Sequence, residues 1–133
     1  MILSAPSYII PGTYLENVMH ISEMNEIQSV ELLFFLFDDE TEELIRKELP
    51  GIREYSGRLG FTLHLPDELK PEHRKIIEIT KDLSVQYIVH PPGEDSDRFL
   101  SLVSSWIDEY GPVFLLETLI EREFESLLVA EPR

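Results

Sequence analysis

The sequence contains no cysteine. Disulfides, thiolate metal sites and a cysteine nucleophile are excluded together. Basic residues are scarce: Lys plus Arg number 11 against 26 Asp plus Glu, a formal charge of −15. A phosphate backbone is bound mainly by neutralising it with Lys and Arg, so a general nucleic-acid binder is disfavoured. The same charge disfavours an anionic membrane surface. An anionic small molecule stays open, provided that bound metal cations supply the positive field. No stretch approaches the roughly 18 apolar residues of a membrane span. The opening Met1-Ile2-Leu3-Ser4-Ala5-Pro6 has no basic region and meets a proline at once, unlike a secretory signal. A cytoplasmic protein is expected. With 133 residues, 43% hydrophobic and 28% charged, residues 1–133 read as one globular domain without a linker or low-complexity tract.

What is present is a repeat. Apolar runs rich in Val, Ile, Phe and Tyr recur at Met1 to Ile10, Val30 to Phe37, Leu59 to Leu65, Val85 to Val89 and Val113 to Leu116. Between them lie segments with helical periodicity. The first spans Tyr14 to Met24, and Thr13 with Glu16 fits a capping box. The second spans Asp39 to Leu49 and is expected to end or kink near Pro50-Gly51. The third starts at Pro71, a residue suited to the first helical position. The fourth carries Phe99, Leu102, Val103 and Trp106 and stops at Gly111-Pro112. A fifth is expected from Glu121, with Phe124, Leu127 and Leu128 as its apolar face.

Continuous apolar strands alternating with amphipathic helices imply an α/β fold with a parallel sheet covered by helices. The unit is roughly 27 residues, near the ~30 per unit of an eightfold barrel of about 250 residues. Five βα units of a TIM barrel are expected, three short of closure. A doubly wound sheet is the rival, but Pro11-Gly12-Thr13 stands where a glycine-rich phosphate loop would follow the first strand.

The chemistry gathers at three strand ends. The third strand ends His64-Leu65-Pro66, the fourth His90-Pro91-Pro92-Gly93, and the fifth Leu115-Leu116-Glu117-Thr118. His64 to His90 is 26 positions and His90 to Glu117 is 27, each about one unit, so the three are expected at equivalent heights on adjacent strands. In a parallel barrel those ends form the face where catalytic groups gather. Two imidazoles and a carboxylate suit zinc or manganese. A proline after a histidine also holds it extended, His90 above all. A histidine ending a strand can equally be a hydrogen-bonded structural residue; three ligand-type residues in register are what favour the metal. His20 and His73 lie in helical segments among polar neighbours and are expected at the surface. Ser7 and Tyr8 near the end of strand one, and Asp38 and Asp39 after strand two, are placed to line a pocket mouth; Asp39 equally suits a helix cap. Glu94, Asp95 and Asp97 are expected to form a solvated loop and helix start.

The motifs HLP at 64–66, HPPG at 90–93 and LLET at 115–118 resemble the xylose-isomerase-like barrel superfamily, most closely its endonuclease IV-type branch. The resemblance follows strand order along the whole chain but rests on these three short motifs. It implies that His64, His90 and Glu117 hold one divalent ion, Zn2+ or Mn2+, and that Glu117 bridges it to a second. Thr118 stands where that family often places asparagine, which makes it a substrate or outer-sphere contact. Glu31, early in strand two as in related barrels, is expected in a structural ion pair. The family's later ligands, from strands six to eight, would complete a site of two or three ions.

Three activities compete. Metal-assisted hydrolysis of a phosphoester would use a metal-activated water as nucleophile. Isomerisation or epimerisation of a sugar or sugar phosphate would use the ion to polarise carbonyl and hydroxyl oxygens while carboxylates move the proton. An inactive barrel relative acting as a binding protein is the third. Isomerase-type relatives share the strand-five glutamate but not the paired histidines, so His64 with His90 favours hydrolysis. The acidic charge turns the choice from abasic DNA to a small-molecule substrate. One group of this branch cuts the phosphodiester-linked nucleotide loop of cobamides, and the motifs are compatible with it. Five barrel strands leave apolar edges, so the expectation is a longer chain that completes the barrel, or a homo-oligomer if 133 residues are the whole polypeptide.

Overall fold

A computed structural model describes residues 2–116. The fifth helix expected from Glu121 lies outside the described residues, as do Glu117 and Thr118. Five parallel strands, β1 (Ser4–Pro6), β2 (Ser29–Leu33), β3 (Gly60–His64), β4 (Gln86–Val89) and β5 (Phe114–Leu116), pair in the order in which they occur in the chain. Four helices connect them: α1 (Tyr14–Ser22), α2 (Asp39–Arg53), α3 (Arg74–Thr80) and α4 (Ser96–Tyr110). Pro71 opens a 3₁₀ turn that leads into α3. An order without reversal has no switch point, which separates this sheet from a doubly wound one. Right-handed crossovers that always step the same way put every helix on one face of the sheet.

Burial follows that geometry. On β2 and its continuation, Val30, Leu32 and Phe34 are fully buried, while Ser29, Glu31 and Leu33 are half-buried. On β3 and β4 the helix-facing set is Phe61, Leu63, Leu65, Tyr87 and Val89. These pack with Val18 and Ile21 of α1, Ile45 and Ile52 of α2, Ile76 and Ile77 of α3, and Trp106 of α4 in one core. Tyr87 carries its hydroxyl into that core and meets Thr80 Oγ1 at 2.8 Å, and Thr80 Oγ1 donates onward to the Ile76 carbonyl at 2.7 Å. Burial pushes the Tyr87 phenol up to about 12. The opposite face carries Ser29 and Glu31, Thr62 and His64, and Gln86 and Ile88. No ion pair forms on Glu31 among the described residues, so the expected structural pair is not seen there.

Local signals account for most helix ends. Thr13 and Glu16 form the reciprocal capping box, with Thr13 Oγ1 accepting from the Glu16 amide at 3.2 Å. Gly111 ends α4 at φ 89°, where a Cβ would be strained. Asp95 caps the start of α4, within the solvated acidic loop that was expected. The second helix corrects the sequence expectation, because α2 continues through Pro50 to Arg53. Pro50 removes one helical N–H but is itself exposed, while Leu49 and Ile52 on either side are buried against the core and hold the turn. Gly51 also lets α1 come close: a Cβ there would stand 2.8 Å from Leu15 Cδ2.

Candidate metal centre

The ends of β3 and β4 place the two histidines. Alternation along β3 turns Phe61, Leu63 and Leu65 to the helices and Thr62 and His64 to the other face. Along β4, Tyr87 and Val89 face the helices and Ile88 has the parity of His64; His90 follows directly after the strand. The two histidines end neighbouring strands, but they are not level. His64 pairs with Ile88, and His90 stands two residues farther on, about 6.6 Å at extended rise. The equivalent heights inferred from spacing become a diagonal.

His64 is 5% exposed. Its Nδ1 lies 2.7 Å from the Leu65 carbonyl oxygen, which can only accept, so Nδ1 is the donor of this bond. A backbone carbonyl on the second ring nitrogen is the arrangement that fixes tautomer and orientation in metal-binding histidines. The ring also contacts Phe35, with centroids 5.8 Å apart and planes tilted by 56°. His90 is half-buried at the edge of an open groove of about 970 Å³ between the loops that follow β3 and β4. Lys70, Pro71, Pro91, Arg98 and Phe99 line the same groove.

The remaining site residues fall as follows. Ser7 is buried; its amide donates to the Glu31 carbonyl at 2.9 Å and its hydroxyl accepts from the Leu33 amide at 3.1 Å, stitching β1 to β2. Tyr8, next along the chain, is 65% exposed. Asp38, and not Asp39, is the cap of α2: its Oδ1 accepts from both the amide and the hydroxyl of Thr41, each at 2.8 Å. Those bonds, the backbone one foremost, hold the Asp38 carboxyl below the usual carboxylate range. Among the described residues no group of three His, Cys, Asp or Glu is disposed to hold a metal ion; the third expected ligand, Glu117, lies outside them.

Two corrections concern residues the sequence did not single out correctly. His20 is exposed as expected, but His73 is buried, with its Nδ1 accepting from the Lys70 amide at 3.0 Å. Burial, and secondarily the Lys70 charge, pull its pKa down. Phe35 and Leu36 continue an apolar run and read as strand, yet they leave the sheet and stand exposed at the rim. Comparison with protein-family models, with curated proteins and with solved structures finds no match.

Proposed function

We propose that the chain belongs to a divalent-metal-dependent hydrolase acting on a phosphoester in a small cytoplasmic molecule, with a cobamide nucleotide loop as one substrate of suitable chemistry. The observation that carries this is the hydrogen bond that ties the buried His64 ring to the Leu65 carbonyl. A buried imidazole held through Nδ1 by a backbone carbonyl is oriented as metal-binding histidines are. His64, His90 and Glu117 are the ligands in this reading, and Glu117 would bridge to a second ion. In sequence Glu117 lies two residues after Leu115, which pairs with Ile88, just as His90 lies two after Ile88. A bound zinc or manganese ion would supply an activated water and neutralise charge on the phosphoryl oxygens. The chain's own part is to hold the ligands: Leu65 orients His64, and Pro91 keeps His90 extended.

The helix-free face and the strand edges bear on the architecture. Among the described residues, β1 pairs with β2 alone and β5 with β4 alone. We place these strands in a xylose-isomerase-like barrel, with further βα units or a second copy of the chain covering the open side. Metal analysis of purified protein, with activity on a phosphodiester, a cobamide, abasic DNA and a ketose panel, tests the proposal. Stoichiometric metal with phosphodiester cleavage supports it. Ketose turnover would move the assignment to an isomerase, and absence of bound metal would end it.

A further inference from the structure

The loop between β3 and α3 is closed by two reciprocal hydrogen bonds around Pro71. The His73 amide donates to the Lys70 carbonyl at 3.0 Å, and the Lys70 amide donates back to His73 Nδ1 at 3.0 Å. Pro71 has no N–H to contribute, so this pair holds the 3₁₀ turn that leads into α3. The second bond lasts only while Nδ1 keeps its lone pair. A proton there makes Nδ1 a donor and sets two N–H groups against each other. His73 is 7% exposed, so its imidazolium also forfeits hydration in the closed turn. The same loop forms one wall of the groove of about 970 Å³, with Asp67, Lys70 and Glu72 on one side and His90, Glu94 and Arg98 on the other.

We infer that His73 is a proton-operated latch on this groove: protonation releases the Lys70 amide and lets the wall formed by residues 67–72 change shape. Local opening is open to the fold because the anchors on both sides are buried while the wall between them is not. Leu65 and Pro66 before it and Ile76 and Ile77 after it are buried, whereas Asp67, Glu68, Lys70, Pro71 and Glu72 are exposed. Moving the wall puts the charged ring in water without dismantling the core. Among the described residues the charges acting on the ring all come from its own loop: Glu72 and Glu68 favour the proton, and Lys70 opposes it. Burial outweighs the two carboxylates, so the latch is shut at neutral pH and opens as the pH falls below the ordinary histidine range. Occupancy of the groove thereby becomes pH-dependent whatever molecule it takes, and the inference stands apart from the proposed hydrolase.

NMR of the backbone amides and histidine rings of the full chain, titrated between about pH 7.5 and about pH 5, is the test. In the wild type the Lys70 amide proton should move upfield as the His73 ring takes up its proton, with one shared midpoint below about 6.5. The amides of residues 67–72 should move with it, while those of Leu63 and Ile77 in the core keep their shifts. His73→Asn, whose side-chain oxygen still accepts from the Lys70 amide, should hold the loop amides fixed across the range, even though His90 remains to titrate. The shared midpoint tests the latch in the wild type alone, whether or not the variant folds. A Lys70 amide that stays in place while His73 titrates, or a His73 ring that takes up no proton in this range, would overturn the inference. Loop movement that persists in His73→Asn, or loss of the whole folded spectrum on protonation, would do the same.

Discussion

His64 faces Ile88 across the β3–β4 ladder, so His90 stands one diagonal step beyond it along the chain. A site built on such a diagonal is closed by side-chain reach and not by backbone pairing. His64 is buried and tied to the Leu65 carbonyl, whereas His90 is half-buried at the groove.

That asymmetry gives the first prediction. His90→Ala should remove metal binding and activity while leaving the thermal midpoint of the metal-free protein almost unchanged. His64→Ala should abolish metal binding too, but also cost about 1–3 kcal/mol of metal-free stability, because a buried ring and its hydrogen bond are lost. Denaturant melts of the two variants, with metal counted on each, check the contrast. Equal stability losses would mark both histidines as structural.

Asp38 separates a cap from a substrate contact. If it serves only α2, Asp38→Asn should preserve both stability and KM, since the amide oxygen can still accept from Thr41. A raised KM with unchanged melting would assign the carboxylate to the substrate.

The order of strands and helices was legible because each strand buries one face under helices and so reads as an apolar run. The positions of His64 and His90 at the ends of β3 and β4 were legible for the same reason. Their diagonal offset was not, because register depends on how β3 and β4 slide past each other. Apolarity alone also extended strand two through Phe35 and Leu36, which leave the ladder. Pro50 looked like a helix end, yet the buried Leu49 and Ile52 outweigh one missing hydrogen bond. His73 was hidden between Glu72 and Arg74. Its burial comes from the turn opened by Pro71, where a side chain that accepts from the Lys70 amide points inward.

His73 should make the fold acid-sensitive. Its pKa is lowered in the folded state, by burial first and Lys70 next, against the opposing charges of Glu72 and Glu68. The unfolded chain therefore binds the proton more readily. Stability is fully present above the ordinary histidine pKa of about 6.5 and falls as the pH drops below it, by at most about 1.4 kcal/mol per pH unit. His73→Asn, which can still accept from the Lys70 amide, should flatten that slope in urea melts between pH 6.5 and 5. An unchanged slope would place the acid sensitivity elsewhere.

The two tyrosines anchored in the fold predict the alkaline limit. Tyr14 donates to the Leu33 carbonyl at 2.9 Å and Tyr87 meets Thr80 in the core; burial pushes each phenol up to about 12, from an ordinary 10.0. A phenol that ionises later when folded stabilises the fold fully below pH 10, and that contribution fades as the pH rises toward 12. Spectrophotometric titration should show Tyr14 and Tyr87 ionising late and together with unfolding. Tyr87→Phe should remove one of them. It should also cost about 1 kcal/mol at neutral pH, because Thr80 loses a partner but keeps its bond to the Ile76 carbonyl. Early, independent ionisation of all five tyrosines would show that neither hydroxyl is held as described.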